Sequence, residues 1–209
     1  MEEQLKTGTT TVGIMCKDGV VLAADKRATA GSMIVDKRAD KVHVISDNVA
    51  VTIAGMVSDA QLLIKLLKAE LKLKDMRTNK IPSTKEAANL LGGFLYSNIR
   101  RPSMMPGIAH FLLGGRDVYG VHLYDLFPDG SVTKIKDYVS SGSGSVFAYG
   151  VLETQYKSDM STQEGVQLAT KAVNTALQRD SASGNGLDVV VITEAGIKHV
   201  VHKEVTVSL

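Results

Sequence analysis

Lys17-Asp18-Gly19-Val20-Val21-Leu22-Ala23-Ala24-Asp25 sets a tight turn in front of an uninterrupted apolar run that stops at a carboxylate. Glycine accepts positive φ at little steric cost, so Lys17-Asp18-Gly19 reads as a hairpin turn. The flanking runs, residues 10–15 and 20–25, then form a strand pair. A strand with one solvated face alternates apolar and polar side chains. The consecutive apolar residues 20–24 instead require a sheet covered on both faces, and the rest of the chain has to supply the covers.

Upstream, Gly8-Thr9-Thr10-Thr11-Val12-Gly13 opens the first strand of that pair. Its β-branched threonines suit a strand. They also permit a chemical reading. A threonine hydroxyl is a weak nucleophile at neutral pH, and a threonine freed at its own N-terminus carries a base in its α-amino group. On that reading residues 1–8 are a disposable pro-segment and Gly8-Thr9 is a cleavage site. Both readings stand on this stretch alone.

Downstream of a loop over residues 26–40, strands 41–45 and 49–54 pair across Ser46-Asp47-Asn48, and the second ends at Gly55. From Ser58 the period is helical. Leu62, Leu63, Leu66, Leu67 and Leu71 make an apolar face, while Lys65, Lys68 and Lys72 mark a solvated face or a contact with a sister subunit. Ser83-Thr84-Lys85-Glu86 is a capping box that opens a second helix running to about residue 101. Strands return at 108–113, 118–124 and 131–136, the last two joined through the turn Phe127-Pro128-Asp129-Gly130. A small-residue loop over 140–145 leads into a helix at 147–156, and a second capping box, Ser161-Thr162-Gln163-Glu164, starts a helix ending near Arg179. A polar loop at 180–186 precedes strands 187–194 and 199–204. Strands and helices gathered in alternating blocks predict an α+β fold, a four-layer αββα sandwich of two antiparallel sheets between helical layers.

The composition narrows the chemistry. The 209 residues, 44% hydrophobic, suffice for one domain with a substantial core. Charged residues make up 22% and the net charge is +2 with the signs interspersed, which is no footprint of a nucleic-acid partner. The single cysteine, Cys16, cannot form an internal disulfide and fits a reducing, cytoplasmic setting. Glu2, Glu3 and Lys6 without an apolar run make residues 1–8 neither signal peptide nor membrane anchor. No later apolar run approaches the roughly 20 residues of a membrane span. The five histidines lack zinc-ligand spacing. No P-loop occurs, no G-x-S-x-G elbow surrounds Ser143, and Gly142-Ser143-Gly144 lacks the third glycine of a dinucleotide loop, so neither metal nor organic cofactor is expected.

Polar residues remain at strand ends and in loops: Thr9, Asp25, Arg27, Lys41, Ser143, Asp180 and Ser183. Singly, each reads as an ion pair, a turn residue or a cap. In order, the words around them are Gly8-Thr9-Thr10-Thr11-Val12-Gly13, Ala24-Asp25-Lys26-Arg27-Ala28-Thr29, Lys41-Val42, Ile53-Ala54-Gly55, Ser141-Gly142-Ser143-Gly144-Ser145, Tyr149-Gly150-Val151-Leu152-Glu153 and Asp180-Ser181-Ala182-Ser183-Gly184. From Thr9 onward the chain resembles a proteasome β subunit of the archaeal kind, an N-terminal-nucleophile hydrolase.

The resemblance implies a set of roles. Thr9 is the nucleophile, exposed when it cleaves after Gly8, so that residues 9–209 are the catalytic domain. Lys41 stands beside its hydroxyl, Asp25 pairs with Lys41, and Arg27 belongs to the supporting network. Gly55 offers the oxyanion its backbone N–H, while Ser143, Asp180 and Ser183 hold the amine and a water. Ala28, Ile53 and Val57 line the substrate pocket, Thr29 binds substrate backbone, and cleavage falls after hydrophobic residues. The implied partners are other β subunits in a heptameric ring, α subunits in flanking rings, a regulatory ATPase reached through the α ring, and unfolded protein substrates. Two neighbouring readings are a bacterial two-ring protease that works without α subunits and a noncatalytic structural subunit of the same particle. The loops at 141–145 and 180–184 oppose the first, and the presence of Gly8, Thr9, Asp25 and Lys41 opposes the second.

Overall fold

The computed structural model describes residues 8–104 and 106–204; residues 1–7 of the expected pro-segment lie outside them. In chain order the elements are β1 (Thr11–Cys16), β2 (Gly19–Asp25), β3 (Ala28–Ala30), β4 (Met33–Asp36), β5 (Val42–Ser46), β6 (Val49–Gly55), α1 (Val57–Thr78) and α2 (Thr84–Ile99). They continue as β7 (Ala109–Asp117), β8 (Gly120–Leu126), β9 (Val132–Ile135), β10 (Tyr138–Ser141), α3 (Ser145–Gln155), α4 (Thr162–Leu177), β11 (Gly186–Thr193) and β12 (Gly196–Glu204).

The Lys17-Asp18-Gly19 hairpin forms as expected, with Cys16 opposite Gly19 and Thr11 opposite Ala24. Its second strand, β2, is the centre of a five-stranded sheet in the order β10-β1-β2-β11-β12. A second five-stranded sheet runs β5-β6-β7-β8-β9, and β3-β4 is a separate two-stranded ribbon. Neighbouring strands are antiparallel throughout the described pairs. Helices and sheets occur in separate blocks, which places the fold in the α+β class.

Residues 20–24 are fully buried, and their two faces enter different clusters. Val21 and Ala23 pack with Ala148 and Leu152 of α3 and Leu168, Ala172 and Val173 of α4. Val20, Leu22 and Ala24 pack with Ala50, Leu112 and Leu123 of the second sheet. The far side of that sheet, through Val51, Phe111, Leu113 and Leu126, meets Leu63, Leu67 and Leu71 of α1 and Leu91 and Leu95 of α2. Both capping boxes close as read: Ser83 Oγ accepts from Glu86 N while Glu86 accepts from Ser83 N, and Ser161 and Glu164 do the same.

Some boundaries differ from expectation for tertiary reasons. The loop expected over 26–40 contains the β3-β4 ribbon, whose strands satisfy each other's backbone. The loop expected at 140–145 begins inside β10, because Ser140 and Ser141 pair with Val12 and Thr11. β7 continues through Gly114 and Gly115, held opposite Ala50 and Val49. On α1 the buried stripe is Ala60, Leu63, Ile64, Leu67 and Leu71, so Leu62 and Leu66 face outward instead of inward.

Candidate active site

Both sheets end at one place, and there the loop residues converge. Thr9 directly precedes β1, Asp25 ends β2, Lys41 precedes β5, Gly55 ends β6, and Ser143 lies between β10 and α3. Asp180 and Ser183 lie between α4 and β11. The ladders fix this end: Thr11 stands between Ala24 and Ser141, and Asp25 lies opposite Leu187.

The Thr9 hydroxyl is almost wholly buried. It donates to the carbonyl oxygen of Gly8 at 2.6 Å and accepts from Lys41 Nζ at 3.0 Å. Lys41 also donates to the Gly8 carbonyl at 3.3 Å and to Asp25 Oδ1 at 2.7 Å. Burial lowers the pKa of Lys41, and the charge and hydrogen bond of Asp25 act against that shift. A fully buried carboxylate needs several donors, and Asp25 has them. Its Oδ1 accepts from Thr10 N at 2.9 Å as well as from Lys41. Its Oδ2 accepts from Arg27 N at 3.0 Å and Gly184 N at 2.9 Å.

A second polar group holds the backbone nitrogen. Thr9 N donates to Ser143 Oγ at 3.2 Å, and the hydroxyls of Ser143 and Ser183 each donate to Asp180 Oδ2 at 2.6 Å. Ser183 Oγ also lies 2.7 Å from Thr10 Oγ1. Arg27 fastens the loop that carries Asp180 and Ser183, donating to Asn185 Oδ1 at 2.7 Å and to the Ser181 carbonyl at 2.8 Å. Gly142 has φ +93°, and a Cβ there would stand 2.1 Å from the Thr9 carbonyl oxygen, so glycine is required by conformation and by space.

Thr29 Oγ1 accepts from Gly8 N at 3.0 Å, so the residue expected to hold substrate backbone here holds the chain's own. Gly55, at φ +98°, shares a cleft of about 510 Å³ with Gly8, Ile108, His110, Ser143 and Asp180. The three apolar positions are more scattered: Ala28 is half-buried at the start of β3, Ile53 is buried among core residues packed on α1, and Val57 is exposed at the start of α1. Of the three, Ile53 is tied to the cluster around Thr9 through its backbone, its N–H donating to the Lys41 carbonyl at 2.9 Å. Several contacts escaped the sequence. Thr10 and Gly184 ligate Asp25, and Lys26 reaches Asp40 at 3.4 Å, which together with the Lys41–Asp25 contact that the resemblance implies, here 2.7 Å, makes crossed pairs of the dipeptides Asp25-Lys26 and Asp40-Lys41. The repeated Asp-Lys word was the available signal for the crossed pairs; nothing marked out Thr10 within a run of three threonines.

No group of three or more His, Cys, Asp or Glu poised to hold a metal ion occurs among the described residues. No helix among them is long and apolar enough to cross a membrane.

Comparison with known proteins gives the family of the chain. A family model described as proteasome subunit matches residues 5–192. The chain is 46% identical over 200 residues to the proteasome subunit beta of Methanocaldococcus vulcanius, covering 95% of this chain and 88% of that protein. It is 45% identical over 194 residues to the proteasome subunit beta of Ferroglobus placidus, covering 93% and 90%. For the proteasome subunit beta of Archaeoglobus fulgidus the identity is 44% over 194 residues, covering 93% and 89%. With a family match over most of its length and relatives of this closeness, the chain belongs to the proteasome subunit family, among sequences similar to archaeal β subunits.

Proposed function

We propose that the chain is the precursor of a threonine endopeptidase, the catalytic β subunit of a proteasome core particle, with Thr9 as nucleophile. The observation that carries the reading is the meeting of three groups at one point: the Thr9 hydroxyl, the carbonyl of Gly8 at 2.6 Å and the Lys41 ammonium at 3.0 Å. Self-cleavage follows from that contact. Thr9 Oγ attacks the Gly8 carbonyl carbon, the C–N bond to Thr9 breaks as a C–O ester bond forms, and the hydroxyl proton ends on the departing nitrogen. Water then hydrolyses the ester and releases the segment ending at Gly8. Lys41, within reach of both oxygens, favours the alkoxide and the oxyanion. Ser143, backed by Asp180, is placed to pass the proton to the nitrogen.

Once freed, the Thr9 amine has the ordinary α-amino pKa range of about 7.7–8.0 to work in, close to operating pH, and serves as base for attack on substrate. Lys41, held by Asp25, makes a second positive charge at that amine unfavourable; two unit charges about 4 Å apart interact by about 4 kcal/mol at an effective dielectric of 20. The substrate takes the place of residues up to Gly8, bound by Thr29 and by the N–H of Gly55. The side chain before the cut enters an apolar pocket formed with Ala28, Ile53 and Val57, which favours hydrophobic residues there. The four-layer αββα sandwich belongs to the same reading and is supported by the three hydrophobic clusters stacked through the two sheets.

Membership of a subunit family means assembly with other subunits. We assign this chain to heptameric β rings stacked against α rings, fed with unfolded protein through a regulatory ATPase, in a reducing cytoplasm. The free thiol of Cys16, buried and pushed up to about 12, suits that compartment. The test is intact mass with N-terminal sequencing, together with cleavage of fluorogenic peptides ending in Leu, Tyr, Arg or Glu. Assembled wild type begins at Thr9 and prefers Leu or Tyr. Thr9→Ala keeps residues 1–8 and has no activity, while Thr9→Ser retains part of both functions. A Thr9→Ala chain that removed its own first eight residues would sink the reading.

A further inference from the structure

The face of the second sheet that looks toward the first is apolar in its middle and polar at the end near Thr9. On β7, Phe111 and Leu113 point to α1 and α2, whereas Leu112 packs between the sheets; alternation puts His110 on the same face as Leu112. On β8, Tyr124 and Leu126 point to the helices and Leu123 lies between the sheets, so Asp125 shares that face. The two meet there: His110 Nε2 lies 2.5 Å from Asp125 Oδ1, with the carboxylate side chain 8% exposed and the imidazole 18%. The Phe127 ring packs on the imidazole with centroids 4.6 Å apart. His110 stands opposite Ala54, one residue before Gly55, and lines the same cleft as Gly8, Gly55, Ser143 and Asp180.

A pair of ionisable side chains where the sheet face could have continued with leucine has a desolvation cost, and the core gains nothing from it. Its geometry does give the cleft a defined polar group. A carboxylate can only accept at this contact, so in a neutral imidazole the Nε2–H faces Asp125 and the lone pair is left on Nδ1. Nδ1 has no hydrogen-bond partner among the described residues, and the imidazole that carries it is partly exposed and lines the cleft.

We propose that His110, oriented by Asp125, is a substrate-selecting hydrogen-bond acceptor that favours peptides with a donor side chain, such as Thr or Gln, at one position flanking the cleaved residue. The proposal rests on the peptidase reading and adds to it a polar preference separate from the apolar pocket. The nearest other ionisable group in the cleft is Asp180, which is occupied by the Ser143 and Ser183 hydroxyls.

The test uses the assembled, fully processed protein and a peptide panel that keeps Leu before the cut and places Ala, Thr, Gln or Glu at each flanking position. A single net hydrogen bond predicts kcat/KM for Thr or Gln about threefold to tenfold above Ala, and above Glu, at one position. In Asp125→Asn the amide donates to Nε2, the ring proton moves to Nδ1, and the preference for Gln over Glu shrinks or reverses. In the double variant His110→Phe with Asp125→Leu the ratios of kcat/KM for Thr and Gln over Ala fall to within about twofold of one, whatever the absolute rate. A merely structural pair would alter all peptides together. A wild-type panel flat within twofold, a preference for Glu, or a preference unchanged in both variants overturns the proposal. The wild-type panel decides even if a variant fails to fold. Processed protein that cuts no peptide at all is a different outcome, and overturns the peptidase reading together with the acceptor site.

Discussion

At Gly8 the backbone is gripped on every side. Its N–H reaches Thr29, its carbonyl receives Thr9 and Lys41, and a Cβ built on it would stand 1.8 Å from the Cβ of Ala182. Any side chain there must displace the loop that carries Asp180 and Ser183. Gly8→Ala is therefore expected to slow self-cleavage at least about tenfold, the cost of roughly 1.4 kcal/mol of misplacement in the attack. Adding Ala182→Gly restores part of the rate, since Ala182 Cα and O, each 2.7 Å from the built Cβ, still crowd it. Intact mass against time checks both, and a Gly8→Ala chain processed at the wild-type rate would contradict the grip. Asp25 and Lys41 were legible as site residues because their words match a family in order. Their contact was legible only through that resemblance and not from spacing, since a pair 16 residues apart meets only through the placement of β2 and β5 in facing sheets. Thr10 and Gly184 were illegible because they act through backbone N–H groups, which every residue but proline possesses.

The starts of α2 and α4 could be read from sequence because a capping box is local chemistry, complete within four residues. β10 and the β3-β4 ribbon could not, because their strands are defined by partners far along the chain or by backbone that has nowhere else to bond. The outward leucines of α1 had the same cause: a leucine-rich stretch permits several stripes, and only contact with the second sheet selects Leu63, Leu67 and Leu71 over Leu62 and Leu66. The capping boxes give an element-scale prediction. Ser83→Ala removes the acceptor for Glu86 N and is expected to cost about 1 kcal/mol. Glu86 is held below its ordinary 4.5, chiefly by the hydrogen bond from Lys74 and then by Ser83 N. A carboxylate whose folded pKa is depressed contributes stability that is fully present above 4.5 and is lost as pH falls through the lower folded value. Denaturant unfolding of wild type and Glu86→Gln should therefore differ at neutral pH and converge below that range. The difference is small, because Glu86 and Lys74 are both exposed and solvent screens the pair. Equal separation of the two proteins at low and neutral pH would mean that the charge of Glu86 is not what the box uses.

The whole molecule has one weak part next to its strongest demand. Two five-stranded sheets hold Asp25, Lys41 and Gly55, whereas Thr29, which fixes Gly8, lies in a two-stranded ribbon paired with neither. An isolated strand pair is marginal in water, and β4 is exposed along its length, with Met33 at 65% and Val35 at 55%. The ribbon is therefore expected to open cheaply in the free chain, and each opening would release Gly8 N from Thr29. A neighbouring subunit that covered Met33, Ile34 and Val35 would bury apolar surface worth about 25 cal/mol per Å² and close the ribbon. Assembly would then switch on self-cleavage without touching Thr9. Hydrogen exchange is expected to show the amides of residues 28–36 fast in the free chain and protected after assembly, with the rate of loss of residues 1–8 rising in step with protein concentration. Val35→Lys, which alters no contact of the active-site cluster, should slow processing at low concentration and approach the wild-type rate when assembly is forced at high concentration. Ribbon amides equally protected in both states, with processing independent of concentration, would show that the ribbon is held by the chain itself, and that folding alone prepares Gly8 for attack.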